Sequence, residues 1–170
     1  FFDVPLAGLL SDDYAAERRA LIDPAAAGTS PAAPGNPRPY SSTTHLVVSD
    51  RQGTVVSYTF TIESTGGNGI VVPGYGFLLN NELTDFNFNS TTHPNRADAA
   101  KRPRSSMAPT IVTKDGEPFV AVGSPGGSTI ITTVLQVLLE RFDLGSTLPE
   151  AIAAPRASQR NSEVTEAEQE

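Results

Sequence analysis

The run "PYSSTTHLVVSD" at 39–50 sets four hydroxyl residues, Ser41, Ser42, Thr43 and Thr44, directly before His45 and an apolar strand-like segment. A threonine hydroxyl within a chain is a weak nucleophile. If the chain is cut before Thr43, the liberated α-amino group lies beside the residue's own hydroxyl and can serve as its base, the arrangement of N-terminal threonine enzymes. The bland alternative is a hydroxyl-rich turn leading into a strand. His45 falls on the same strand face as Thr43, but a Ser/Thr-His-Asp triad needs a partner that the sequence does not place. His93, in "STTHPN", reads as a solvated loop residue.

Three further groupings carry chemistry. In "VGSPGGSTIIT" a strand enters a Pro-Gly-Gly turn and a helix leaves it, so the N–H groups of Gly126 and Gly127 can approach an oxyanion or a phosphate. The lysine of a phosphate-binding P-loop is missing, which argues against a nucleotide. Spacing alone favours a plain strand-to-helix turn. "KRPRSSMAPT" offers Ser105 and Ser106 between restraining prolines; paired hydroxyls can hold a carboxylate, although such a pair is ordinarily a turn device. "NNELTDF" sets Glu82 and Asp85 in a compact polar turn that suits an ammonium group or a metal, with surface solvation as the ordinary reading.

The elements that must position these residues follow from periodicity. In "TVVSYTFTIE" Val56, Tyr58, Phe60 and Ile62 alternate with hydroxyl residues and Glu63, predicting a strand covered on its apolar side. "DRQG" joins it to "THLVVS" as an antiparallel hairpin. Pairing Ser49 with Thr54 places Thr43 opposite Phe60, within a residue of Thr61. The apolar runs 70–72 and 77–79 predict short strands, and 87–100 a patternless loop. "APTIVTKDGEPFVAVGS" predicts a second hairpin with Asp115-Gly116 at its tip. Ser128 is expected to cap a helix running to Phe142, with Ile131, Val134, Leu135, Leu138, Leu139 and Phe142 on its apolar face. A short helix is expected near 149–154, and a plain polar, acidic tail from Gln159. Before the hairpins, Ser11 or Asp12 caps a helix carrying Tyr14, Ala15, Arg18 and Leu21, and Pro24 to Pro39 reads as a linker poor in large side chains.

The chain has 170 residues, a formal charge of −7 and no cysteine. That length suits one domain. Scattered basic residues argue against a nucleic-acid surface or a polybasic membrane patch. The longest apolar run, Thr129 to Leu139, is far short of the roughly 20 residues that span a bilayer. Disulfides and thiolate metal sites are excluded, and two histidines make a protein-built zinc site unsuitable. The opening "FFDVPLAGLL" has no basic n-region or cleavage site of a signal peptide, and reads as a chain cut from something longer.

In this order, "TTHLVVSDRQGTVVSYTFTIE", "GNGIVVPGYGFLLNNELTDF", "KRPRSSMAPTIV", "VGSPGGSTIITTVLQVLL" and "AIAAPR" resemble the small-subunit region of the γ-glutamyltransferase family (γ-glutamyltranspeptidase, glutathione hydrolase). The match runs from about Thr43 to Arg156. The resemblance implies an α+β N-terminal-nucleophile hydrolase fold, an αββα sandwich of two stacked antiparallel sheets between helices. It implies that residues 1–42 are the end of a large subunit and its processing linker, and 43–170 a C-terminally truncated small-subunit catalytic region. It implies a zymogen that cleaves itself between Ser42 and Thr43, freeing Thr43 as nucleophile.

By the same resemblance Thr61 places its hydroxyl beside Thr43, Gly126 and Gly127 form the oxyanion hole, Ser105 and Ser106 bind the donor's α-carboxylate, and Glu82 and Asp85 take its α-amino group. Glu63, where many members have Asn, belongs to the glutamyl site. Arg104 and Gly66 depart from the family's usual Leu and aromatic residue. The implied partners are a γ-glutamyl donor such as glutathione, water or an amino acid or peptide acceptor, and the large subunit of the same precursor. No cofactor or metal is implied, and no cellular address can be read beyond the frequent export of bacterial relatives. Two alternatives stand beside this reading. One is a related N-terminal-threonine amidase acting on glutaryl side chains of β-lactams; the other is an uncleaved or truncated piece without a complete site. Because a large-subunit arginine and the family's final strands are absent, residues 1–170 alone are expected to have little activity and low stability.

Overall fold

The computed structural model describes residues 5–23, 25, 42–160 and 163–168. The linker expected at 24–39 falls, apart from Ala25, outside the described residues. Two N-terminal helices, α1 (Leu6–Leu9) and α2 (Asp12–Ala20), precede it. Ser11 has extended backbone and its hydroxyl accepts from Tyr14 N, so it is the cap of α2. Asp12 and Asp13 in the first turn and Arg18 and Arg19 in the last complement the helix dipole. No residue of either helix is buried, so local terms rather than packing hold them.

The first hairpin pairs β1 (Thr44–Ser49) with β2 (Val55–Phe60), and Ser49 faces Val55 rather than Thr54. The cause is the turn. Asp50 Oδ1 accepts from Gln52 N and Thr54 N, each at 2.9 Å, and Gly53 takes φ +86°, which closes a three-residue loop. These backbone donors, Thr54 foremost, hold the Asp50 carboxyl below the usual range. The register therefore shifts by one residue, and Thr43 comes opposite Thr61 instead of Phe60.

The covered face of this hairpin is also the opposite of the expected one. Val55, Ser57 and Thr59 turn inward and Thr59 is buried, whereas Val56, Tyr58 and Phe60 stand exposed. The reason is the neighbour: Ser57 Oγ donates to Val122 O of the second hairpin at 3.3 Å. That hairpin pairs β3 (Thr110–Lys114) with β4 (Glu117–Val122). Its Asp115-Gly116 tip has both φ values positive, as a two-residue turn of the mirror-image type requires. Pro118, which has no N–H for the ladder, sits where the register slips by one residue.

The strands expected at 70–72 and 77–79 reduce to one bridge, Val71 to Leu78, because Gly74 and Gly76 turn the chain back at once. The loop expected at 87–100 is a loop, pinned by a parallel bridge between Asn87 and Arg96.

After the Pro-Gly-Gly turn, a 3₁₀ turn (Gly127–Thr129) winds directly into α3 (Ile130–Phe142). Ser128 lies within that turn, so no extended cap position exists for it, contrary to expectation. The buried stripe is Ile130, Val134 and Val137, at i, i+4 and i+7, while Ile131, Leu135, Leu139 and Phe142 stay exposed. α4 (Leu148–Ala153) carries a capping box between Thr147 and Glu150 and packs Ala151 against α3.

The tail forms a third hairpin instead of a plain polar end: β5 (Ala157–Gln159) pairs with β6 (Thr165–Ala167). The Gln136 amide explains why. It donates to Ala157 O at 2.9 Å and accepts from Ala157 N at 3.0 Å, so α3 offers β5 a strand-like partner. Arg156 and Glu168 close the hairpin with an ion pair at 3.0 Å. Among the described residues, no helix is long and apolar enough to cross a membrane.

Candidate active site

The site begins one step beyond the last pair of the first hairpin. Thr43 Oγ1 donates to Thr61 Oγ1 at 3.1 Å, and Thr61 Oγ1 also accepts from Glu63 N at 2.8 Å. Both lone-pair directions of the Thr61 oxygen are thus used, which fixes its rotamer and the direction from which Thr43 is met. Ser42 is held from the same residue: its N–H and hydroxyl reach Glu63 O at 3.4 and 3.1 Å. The Ser42–Thr43 peptide bond is therefore clamped on both sides by the segment 61–63.

Glu63 adopts φ +70°, a conformation that strains a residue with a Cβ by about 1–2 kcal/mol. Its surroundings over-determine it. Its carboxylate accepts from Ser64 Oγ at 2.6 Å, from Asn81 Nδ2 and from Thr84 Oγ1 at 3.4 Å, while its backbone engages Ser42 and Thr61. Strain retained under so many bonds makes Glu63 a candidate site residue. Ser64 N and Asn81 Oδ1, 2.9 Å apart, tie this corner to the 3₁₀ turn Glu82–Asp85.

Glu82 on that turn titrates above the usual glutamate range. Burial is the main cause, and the charges of Asp85 and Glu63 add to it. The three carboxylates therefore share one electrostatic neighbourhood in which a cation is favoured. Among the described residues, no three His, Asp or Glu side chains are arranged as a metal would need.

A second connection leaves the same hairpin face. His45 Nδ1 lies 2.8 Å from Thr59 Oγ1 and its Nε2 3.5 Å from Ser57 Oγ, whose proton goes to Val122 O. One tautomer closes this chain: Thr59 donates to Nδ1 and Nε2–H donates to Ser57. Burial lowers the His45 pKa, which favours that neutral form. The imidazole lies flat against Gly123, where any Cβ would overlap the ring. Gly123 leads straight into Ser124-Pro125-Gly126-Gly127.

At that turn Gly126 and Gly127 have φ +133° and +57°, values that L side chains rarely adopt. Gly126 O accepts from Thr129 N and Thr129 Oγ1, which turns the carbonyl inward. Among the described residues, neither glycine N–H has an acceptor, so two adjacent donors are left for a ligand atom. Ser105 and Ser106 lie on another loop. Ser105 Oγ accepts from Met107 N at 3.2 Å, a local turn bond, and Ser106 is half-buried beside it.

Hydrogen bonds thus join Ser42, Thr43, Thr61 and Glu63; Glu82 and Asp85 lie on the turn whose Asn81 and Thr84 hold the Glu63 carboxylate. The serine pair and the glycine pair stand on separate loops with their own local bonds. The sequence reading missed Ser64, Asn81 and Thr84, which grip Glu63, and Gly123, which admits His45. "NNELTDF" carries a signal for Asn81 and Thr84 alone, polar side chains next to two candidate carboxylates.

A profile of the Gamma-glutamyltranspeptidase family matches residues 1–170. The glutathione hydrolase proenzyme of Bacillus subtilis (strain 168) is 45% identical over 174 residues, covering 92% of this chain and 29% of its own length. The acylase ACY 1 proenzyme of Pseudomonas sp. (strain SE83) is 38% identical over 161 residues, covering 92% and 28%. The structure of a gamma-glutamyltranspeptidase from Pseudomonas nitroreducens complexed with L-DON superposes with a TM-score of 0.64 at 39% identity, over 68% of this chain and 65% of that one. The chain thus spans under a third of the length of the curated relatives it matches. The antiparallel hairpins and helices are a partial α+β N-terminal-nucleophile hydrolase fold. With the family profile matched along its whole length and its hairpins superposing on a solved member, the chain belongs to the γ-glutamyltranspeptidase family.

Proposed function

We propose that this chain carries the nucleophile side of a γ-glutamyl acyltransferase and glutathione hydrolase, in which Thr43 becomes the nucleophile once the Ser42–Thr43 bond is cut. The observation that carries this reading is the Thr43 Oγ1 to Thr61 Oγ1 bond at 3.1 Å, beside a peptide bond gripped by Glu63. In the uncut chain Thr43 has no free amine, and Thr61 is then the group that orients its hydroxyl. Attack of Thr43 Oγ on the Ser42 carbonyl carbon, followed by hydrolysis of the resulting ester, yields a free amine at Thr43. Residues 1–42 then belong to the large subunit with its linker and 43–170 to the small subunit.

In turnover, Thr43 Oγ attacks the γ-carbonyl carbon of the donor and its proton passes to the new α-amine. The Gly126 and Gly127 N–H groups stabilise the oxyanion. The tetrahedral intermediate collapses with the leaving amine taking that proton, and leaves a γ-glutamyl ester on Thr43. Water or an acceptor amine then attacks the ester and restores the hydroxyl. Ser105 and Ser106 receive the donor's α-carboxylate, and Glu63, Glu82 and Asp85 its α-ammonium. The raised pKa of Glu82 supports the last assignment, because an ammonium relieves the crowding of like charge.

The large subunit of the same precursor is the proposed partner. The exposed apolar face of the first hairpin, with Val56, Tyr58 and Phe60 between 41% and 53% exposed, supports a further covering layer. A related N-terminal-threonine amidase, here one acting on glutaryl side chains, is the second reading, and the acylase relative favours keeping it. Parallel assay of γ-glutamyl and glutaryl anilides with the full-length protein separates the two. Turnover of the γ-glutamyl anilide is expected; turnover of the glutaryl anilide alone would overturn the proposal.

A further inference from the structure

We infer that Asn95 is a positioning residue that sets the distance between the two halves of the donor site, an assignment that rests on the function proposed above. Asn95 lies in the loop after the 3₁₀ turn and is half-buried. Its Nδ2 donates to Asp85 O at 2.6 Å, and its Oδ1 accepts from Arg104 N at 2.9 Å. Both partners are backbone groups with fixed roles, a carbonyl that only accepts and an N–H that only donates. They fix the orientation of the amide without ambiguity. One side chain thereby fastens the turn bearing Glu82 and Asp85 to the residue directly before Ser105 and Ser106.

The amide is itself anchored. Asn95 N donates to His93 Nδ1 at 3.0 Å, and Asn95 O accepts from Asn87 N at 2.8 Å. Lys101 adds a local clasp through Pro94 O and Arg96 O. The whole excursion from Asn87 to Lys101, patternless as sequence, is thus a bracket built around one bridging amide. Asn95 touches neither proposed ligand group. Its effect is to hold an ammonium-binding turn and a carboxylate-binding loop at the spacing of a single α-amino acid, and such a part acts on ligands that use both halves at once.

The test compares L-glutamate with glutarate as competitive inhibitors of the processed full-length enzyme. Glutarate keeps the carboxylate and lacks the α-amine. In Asn95→Ala the preference for L-glutamate over glutarate is expected to fall roughly tenfold, the scale of one hydrogen bond, with donor KM rising in step and kcat changing less. Asn95→Asp keeps the acceptor for Arg104 N but sets a carboxylate oxygen against Asp85 O, and should lose the preference as Asn95→Ala does. A purely structural role would weaken both inhibitors alike. An unchanged preference in either processed variant overturns the inference, as does failure of both variants to process. If the wild-type enzyme turns over no γ-glutamyl donor, the functional proposal falls instead, and the two failures are told apart.

Discussion

The two central hairpins are built to the same plan and used differently. Each has strands of five or six residues joined by a tight turn with a glycine at positive φ. The first turns its hydroxyls and a histidine toward its neighbour and leaves Val56, Tyr58 and Phe60 exposed. The second holds no comparable polar row, and its candidate chemistry is confined to the exit through Gly123 to Gly127. A buried hydroxyl contributes to stability only if its bonds are made, and a hydrophobic residue in its place is safer. A face that packs Thr43, His45, Ser57, Thr59 and Thr61 together is therefore explained by chemistry and alignment, with stability secondary. The glycine exit needs no such row, because the role proposed for it uses backbone N–H groups.

This contrast can be broken from either side. The largest expected effect is at the exit. Gly126→Ala places a side chain at φ +133° against Thr129 Oγ1, distorts the two unpaired N–H donors, and should lower kcat by about 10²–10³ while the backbone strain costs only about 1–2 kcal/mol of stability. Steady-state kinetics alongside a melting curve reads both. Next comes the polar row: Thr59→Val removes the buried partner of His45 and should destabilise the fold by about 1–3 kcal/mol. Thr113→Val, on the exposed face of the second hairpin, should stay within about 0.5 kcal/mol of wild type. Denaturant unfolding of both variants compares them, and equal effects would erase the distinction.

The smallest effect is a pH shift. Burial and the charges of Asp85 and Glu63 raise the Glu82 pKa, so the folded chain holds that proton more tightly than the unfolded one. Its contribution to stability is greatest at pH below the ordinary glutamate range and declines as pH rises through the raised value. An ammonium ligand needs the ionised form, so donor KM should climb as pH falls through that same raised value. Glu82→Gln should flatten the acidic limb of the KM profile.

The hairpins, the long helix and the short helix near 149 were legible because alternation, Asp-Gly turns and helical spacing are local signals. The register differs by one residue from strand counting because the Asp50 carboxylate, accepting from Gln52 N and Thr54 N, adds one residue between Ser49 and its partner Val55. The covered face of β2 was misjudged because hydrophobic alternation says which faces differ, not which one a neighbour meets. Ser128 as cap and a plain tail failed for tertiary reasons: a turn that runs straight into helix, and a glutamine that pairs with β5 from another element. Of the candidate site, strand counting brings Thr43 only within one residue of Thr61, opposite Phe60, and it is the resemblance that implies the Thr43–Thr61 contact. The grip of Asn81 and Thr84 on Glu63, and the bridge made by Asn95, depend on contacts across 9 to 21 residues that no periodicity encodes.

The central claim is that Ser42–Thr43 is a bond to be broken. Intact-mass measurement of the full-length protein, with Thr43→Ala beside it, tests this directly. The account predicts two chains, the smaller beginning at Thr43, and a single uncut chain for the variant. A single uncut wild-type chain that nevertheless turns over a γ-glutamyl donor would contradict it.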